Sequence, residues 1–279
     1  MISKFKTFLK ALKGLKEIAF INYKKIPRLK PTKRNEEIVV SLTSYGRRVS
    51  NSVYYTIISI LKQTIQPDKI ILWLDNSWND ELIPNRLMSL TSLGLEICYC
   101  KDIKSYKKLI PTLKRFQDAI IITIDDDVYY SPQLIECLLN GYHKNGNIQC
   151  TEARIPKKLE SAFTSYNEWE RATETNDSII PIGVGGVLYP PASLSNEVSN
   201  VDFMELAPQA DDLWFWIMAK RNNTRHSLVS LKDNYLPFDS IYQFFHKGSA
   251  LTHSNKGQDQ NDIQLNQILS KYPLPPVTS

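Results

Sequence analysis

From Ile38 onward, short apolar runs alternate with stretches whose apolar residues recur every three or four positions. "IVVSLTS" (residues 38–44), "KIILWLD" (69–75), "LEICYC" (95–100) and "AIIITID" (119–125) have the length and β-branched content of strands. Between them, "NSVYYTIISILKQ", the region of "IPNRLMSLTSL" and "SYKKLIPTLKRFQ" read as helices. The first follows a candidate Asn51 cap and aligns Val53, Ile57, Ile60 and Leu61. Strand-helix alternation predicts an α/β fold with a mainly parallel sheet covered on both faces, and ligands beyond the carboxyl ends of its strands.

The first 20 residues follow another pattern. Ile2, Phe5, Phe8, Leu9, Leu12, Leu15 and Ala19 recur at helical steps, with Lys6, Lys10, Lys13 and Glu17 on the other side. This predicts a basic amphipathic helix lying on an anionic membrane surface, or one packed on the domain or on a partner chain. "KKIPRLKPTKRNEE" then reads as an exposed linker. Charge separates this tail from the rest: residues 1–34 carry nine Lys and two Arg against one Glu, whereas the whole chain is only +5. The remaining residues are therefore net acidic, which with the apolar stripe of the tail argues against a nucleic-acid partner. Residues 35–279 are expected to form one domain.

The four cysteines form no Cys-x-x-Cys, so packing roles and a reducing cytosol are expected. No run approaches the roughly 18 apolar residues of a membrane span, and lysines interrupt any signal-peptide pattern. A cytoplasmic protein, peripheral on the inner face of the membrane, is the resulting expectation.

Candidate chemistry gathers at the predicted strand ends. Thr43-Ser44-Tyr45, Asp75-Asn76-Ser77 and Asp125-Asp126-Asp127 would share one rim of the sheet. Three adjacent carboxylates repel one another and call for positive charge. Mg²⁺ or Mn²⁺, which takes carboxylate and phosphate oxygens, would supply it; a solvated turn capping the next helix is the bland alternative. "PIGVGGVLYPP" carries three glycines whose missing side chains would let backbone approach a ligand, or would simply form a bulge. "ADDLWFWIMAKRNN" begins a helix at Asp211 and Asp212, where carboxylates also serve as caps. The absence of Gly-Lys-Ser/Thr disfavours a phosphate-loop nucleoside triphosphatase.

As a constellation, "SLTSYGRR", "WLDNS" and the Asp-Asp-Asp strand end resemble the nucleotide-sugar-dependent glycosyltransferases of the GT-A, Rossmann-like fold. The resemblance runs from about Ile38 to Leu269, nearest to bacterial enzymes of capsule, lipopolysaccharide and O-antigen synthesis. It implies a nucleotide-binding half at 35–130 and an acceptor half with a C-terminal loop at 131–279. It implies that Thr43, Tyr45 and Arg47 line the nucleotide pocket, that Asp75 approaches the base, and that Lys108 faces the nucleotide. Asp125 and Asp126 would lie near the ribose and metal, with Asp127 as the direct metal ligand beside Asp125. Gly185 and Gly186 would run along the donor sugar. Asp212 would be the base of an inverting transfer, with Asp211 as its partner, and His253 or His246 a third metal ligand. The implied partners are a nucleoside diphosphate sugar, UDP-sugar favoured, and a glycan or lipid-linked acceptor. Three rival readings stand beside it; for the first, a nucleotidyltransferase that makes sugar nucleotides, the glycine-rich, basic signature expected after the first strand is absent. In a haloacid-dehalogenase-like phosphatase Asp125 would be nucleophile and Asp127 acid/base, but that signature should end the first strand of the core. In a non-catalytic scaffold or glycan-binding protein, neither acidic cluster would be needed.

Overall fold

The computed structural model describes residues 25–30, 34–160, 162–175, 178–231, 235–237 and 259–275. Four strands follow the first apolar runs: β1 (Ile38–Thr43), β2 (Lys69–Asp75), β3 (Leu95–Cys100) and β4 (Ile120–Thr123). They pair in parallel in the order β3-β2-β1-β4, with Val39 opposite Lys69 and Ile38 opposite Ile120. Their runs are almost wholly apolar because both faces are covered. Ile38, Val40 and Leu42 enter one core cluster, while Val39 enters another on the opposite face, as a period of two requires.

Beyond β4 the sheet continues through β6 (Ile148–Cys150), β10 (Val187–Tyr189) and β11 (His226–Leu228) to seven strands, in the order β11-β6-β10-β4-β1-β2-β3. β10 runs antiparallel to both of its neighbours, and β11 is parallel to β6. A smaller three-stranded sheet sits at the same end: β7 (Ala153–Ile155) lies between β8 (Glu170–Arg171) and β9 (Ile180–Pro181). The short strand β5 (Val128–Tyr130) leaves the acidic triplet and pairs with Tyr235–Pro237. The architecture is thus a mainly parallel, Rossmann-like α/β arrangement.

Helix α1 (Ser52–Leu61) buries Ile57, Ile58, Ile60 and Leu61 completely. Truncating one such residue to alanine costs about 2–5 kcal/mol. Asn51 precedes it but makes no side-chain cap bond, which departs from expectation. The predicted helix over "SYKKLIPTLKRFQ" divides into a 3₁₀ turn, Lys104–Lys108, and α2 (Ile110–Arg115). Pro111, which has no N–H to donate, is accommodated at the start of α2. After α3 (Leu134–Asn145), which ends on left-handed Gly146, α4 (Asp211–Arg221) is buried almost throughout. Trp214, Phe215, Ile217 and Met218 lock α4 into a cluster with Tyr106, Phe203 and Tyr272. Its first turn is therefore rigidly held.

At the closing helix, α5 (Gln260–Lys271), Asp259 rather than Asp262 occupies the cap position. Asp262 instead accepts hydrogen bonds from Ser165 Oγ at 2.7 Å and Tyr166 N at 2.6 Å, pinning that turn. No helix among the described residues is long and apolar enough to cross a membrane. The basic N-terminal helix predicted over residues 1–20 lies outside the described residues.

Candidate active site

The carboxyl ends of β1, β2 and β4, the 3₁₀ turn Lys104–Lys108, the small sheet and the start of α4 enclose a cavity of about 620 Å³. Thr43, Tyr45, Asp75, Lys108, Asp125, Asp126, Asp211 and Asp212 all line it. Two acidic groups 85 residues apart in the chain thus share one space because β4 and the amino end of α4 converge there.

The three adjacent aspartates meet different environments. Asp126 is buried, accepting from Ser44 Oγ at 2.6 Å and from Arg48 Nη1 at 2.8 Å. Burial raises its pKa, opposed by Arg48 and the Ser44 bond. Arg48 Nη2 also lies 3.1 Å from Asp127, and these two carboxylates hold the guanidinium charged against the cost of its own burial. Asp125 faces the cavity and pairs with Lys108 Nζ at 3.1 Å. Its backbone N–H donates to Tyr130 Oη at 2.9 Å, and that hydroxyl donates to Val184 O at 3.0 Å. Within the protein itself, the positive charge that the triplet calls for comes from Arg48 and Lys108.

Lys108 is buried and bridges the two acidic groups, with Asp211 Oδ2 3.0 Å from its Nζ. Despite burial, Asp125, Asp211 and Asp212 hold its pKa well above the ordinary lysine value. Asp211 also accepts from Ser105 Oγ at 2.9 Å. Among the described residues, Asp212 accepts the backbone N–H of Gly183 alone, shared between its two oxygens at 3.2 and 3.1 Å. Burial, and after it the neighbouring Asp211, push its carboxyl up to about 7, with Lys108 opposing. A carboxylate poised near neutrality can take and release a proton at physiological pH.

The glycine segment forms a 3₁₀ turn, Gly183–Gly185, ahead of β10 rather than one continuous strand. A Cβ on Gly183 would stand 2.8 Å from Lys108 Nζ and 3.0 Å from Asp212 Oδ1. At Gly185 it would meet Thr151 Oγ1 at 2.6 Å, and Gly186 has φ +88. Close approach is thus to the protein's own side chains. Gly185 and Gly186 do not line the cavity; Ile182 and Val184 do.

Thr43 lines the cavity while donating to Trp73 O at 2.8 Å, and Asp75 does so while accepting from Ser77 N at 2.9 Å. Arg47 is exposed and outside the cavity; its neighbour Arg48 points inward instead. Asp127 stands behind Arg48 and is not part of the lining. His246, His253, Lys247 and Lys256 lie outside the described residues. Sequence reasoning did not single out Asp102, Arg154, Tyr166 or Arg171, which complete the wall.

Among the described residues, no three His, Cys, Asp or Glu side chains form a ready metal cage. Mg²⁺, however, is usually held by one or two carboxylates, with substrate phosphates and water completing its shell. Asp125, which faces the cavity, suits that sparse mode; Asp127, held by Arg48 outside the lining, would have to leave that guanidinium to join it.

No family model matches the chain, and no curated protein matches it in sequence. Among solved structures it is similar to S. aureus TarS (residues 1–349), at 14% identity over 84% of this chain and 72% of that one, with TM-score 0.47. It is also similar to the mannosyltransferase PcManGT from Pyrobaculum calidifontis in complex with GDP-Man and Mn²⁺, at 11% identity, 81% and 64% coverage and TM-score 0.46. UDP-glucose pyrophosphorylase from Acinetobacter baumannii follows at 12% identity, 86% and 95% coverage and TM-score 0.44. Likeness at this level assigns neither an activity nor a residue.

Proposed function

We propose that the protein is a nucleotide-sugar-using transferase, and specifically an inverting glycosyltransferase that moves a sugar from a nucleoside diphosphate to a glycan or lipid-linked acceptor. The observation that carries this reading is Asp212: a carboxylate with its pKa near 7 that faces the same cavity as Asp125 and the polar ends of β1 and β2. A pocket that only binds nucleotide has no need of a base.

In this reading Thr43, Tyr45 and Asp75 receive the nucleoside, as a cavity beyond parallel strand ends would. Asp212 takes the proton of the acceptor hydroxyl as its oxygen attacks the anomeric carbon. The bond from that carbon to the diphosphate breaks, and its electron pair leaves on the diphosphate. Asp211, fixed by Ser105 and Lys108, orients the first turn of α4. Mg²⁺ or Mn²⁺, held by Asp125 and by Asp127 once it leaves Arg48, would neutralise charge on the departing diphosphate. UDP is the favoured carrier, on the resemblance alone. The basic N-terminal segment would hold the enzyme on the cytoplasmic face of an anionic membrane, where bacterial surface glycans are assembled.

The test is Asp212→Asn. It should abolish sugar transfer while nucleoside diphosphate affinity stays within about twofold. Retained transfer would remove Asp212 as the base, and inversion with it.

A further inference from the structure

The small sheet brings two arginines together. Arg154 of β7 and Arg171 of β8 are direct antiparallel partners in register. Directly opposed residues put their side chains on the same face, with Cβ atoms only about 4.5–5.5 Å apart, and like charges there are destabilising. Both arginines line the cavity.

Among the described residues, little compensates this repulsion. Arg171 has one carboxylate nearby, Glu152 at 3.6 Å, and its own side chain is 73% exposed. Arg154 makes no ion pair among the described residues. It is nevertheless half-buried and held in place: Nη1 donates to Trp169 O at 2.8 Å, and its guanidinium lies over the Tyr166 ring at 4.9 Å. Tyr166 is in turn pinned by Asp262. Tyr166 and both arginines line the same cavity as Asp212.

We propose that the Arg154–Arg171 pair is an anion site for the acceptor, so that the accepted glycan carries a phosphate or carboxylate close to the hydroxyl that is glycosylated. This rests on the transferase reading for the word acceptor; the anion site itself does not. A fixed guanidinium presents paired N–H donors that match carboxylate and phosphate oxygens, and an anion between the two arginines would relieve their repulsion.

The full chain, saturated with whichever of UDP, GDP, CDP or dTDP stabilises it together with Mn²⁺, would be titrated with glucose 6-phosphate, glucuronate and glucose. At least one anion should bind tenfold or more tightly than glucose, and the stronger of the two identifies phosphate or carboxylate. Arg154→Gln and Arg171→Gln should each weaken that anion at least fivefold and leave nucleotide affinity within twofold. Arg171 is exposed enough for its variant to fold even if Arg154→Gln does not. Equal binding of glucose, anion binding that ignores both substitutions, or a loss confined to the nucleotide would each overturn the assignment. Arginine-dependent anion binding with no nucleotide bound at all would instead keep the anion site and remove the transferase reading.

Discussion

Gly183 donates its backbone N–H to both carboxylate oxygens of Asp212, at 3.2 and 3.1 Å, from a position where a Cβ would lie 3.0 Å from that carboxylate. One main-chain group therefore sets the orientation of the proposed base, and the absence of a side chain makes the contact possible. Val184, the next residue, is tied through Tyr130 to the backbone of Asp125. The acidic strand end and the base are parts of one hydrogen-bonded unit.

Gly183→Ala should therefore reduce turnover at least tenfold. The lysine end can move away from the new methyl, but Asp212 cannot without losing the Gly183 hydrogen bond. Overpacking of this kind costs about 1–3 kcal/mol, so urea unfolding should detect a modest loss of stability alongside the kinetic one.

The pH dependence has a definite sign. Activity should rise with pH and level off above about 7, as Asp212 loses its proton. Stability should move the other way. The native carboxyl keeps a proton that the unfolded chain, with an aspartate pKa of about 3.9, has already released. The group's contribution therefore falls as pH rises from about 4 to about 7. Asp212→Asn removes this loss, so the variant should melt higher than the parent above pH 7, by about 2–4 °C per kcal/mol recovered. Melting curves at pH 5 and pH 8 read the difference directly.

Arg48 and Arg47 are neighbours with opposite fates. Arg48→Met leaves Asp126 buried without its charge partner and should cost about 3–5 kcal/mol. Arg47→Met alters an exposed side chain and should stay within about 0.5 kcal/mol. Chemical denaturation of the two variants distinguishes them.

The same pair marks where sequence reading stops. β2 and β3 begin and end where the sequence places them, because an apolar run covered on both faces and bounded by turn residues admits one reading. Around "GRR" the chain enters a single helical turn, Arg47–Ser50, in which consecutive residues point about 100° apart. Which arginine faces inward depends on where that turn starts, and no periodicity fixes this over four residues. Lys108 poses a different difficulty: four lysines crowd residues 104–114, and nothing local says that this one is buried between two aspartates. The Arg154–Arg171 pair is a strand register between segments 17 residues apart, which composition cannot encode. Asp262 reads as a helix cap from its neighbours, yet it bonds a turn almost 100 residues earlier in the chain.

The central claim is that this cavity is a metal-assisted nucleoside diphosphate site. Thermal unfolding with UDP, GDP, CDP and dTDP, each with and without Mn²⁺, tests it most directly, on the parent chain and on Asp125→Ala and Asp127→Ala. A ligand at about 100 times its dissociation constant adds roughly 2.7 kcal/mol, well within reach of a melting curve. One diphosphate should raise the melting temperature only when metal is present, and each substitution should remove the effect. Melting curves unchanged by every diphosphate, or raised equally in the alanine variants, would contradict the account.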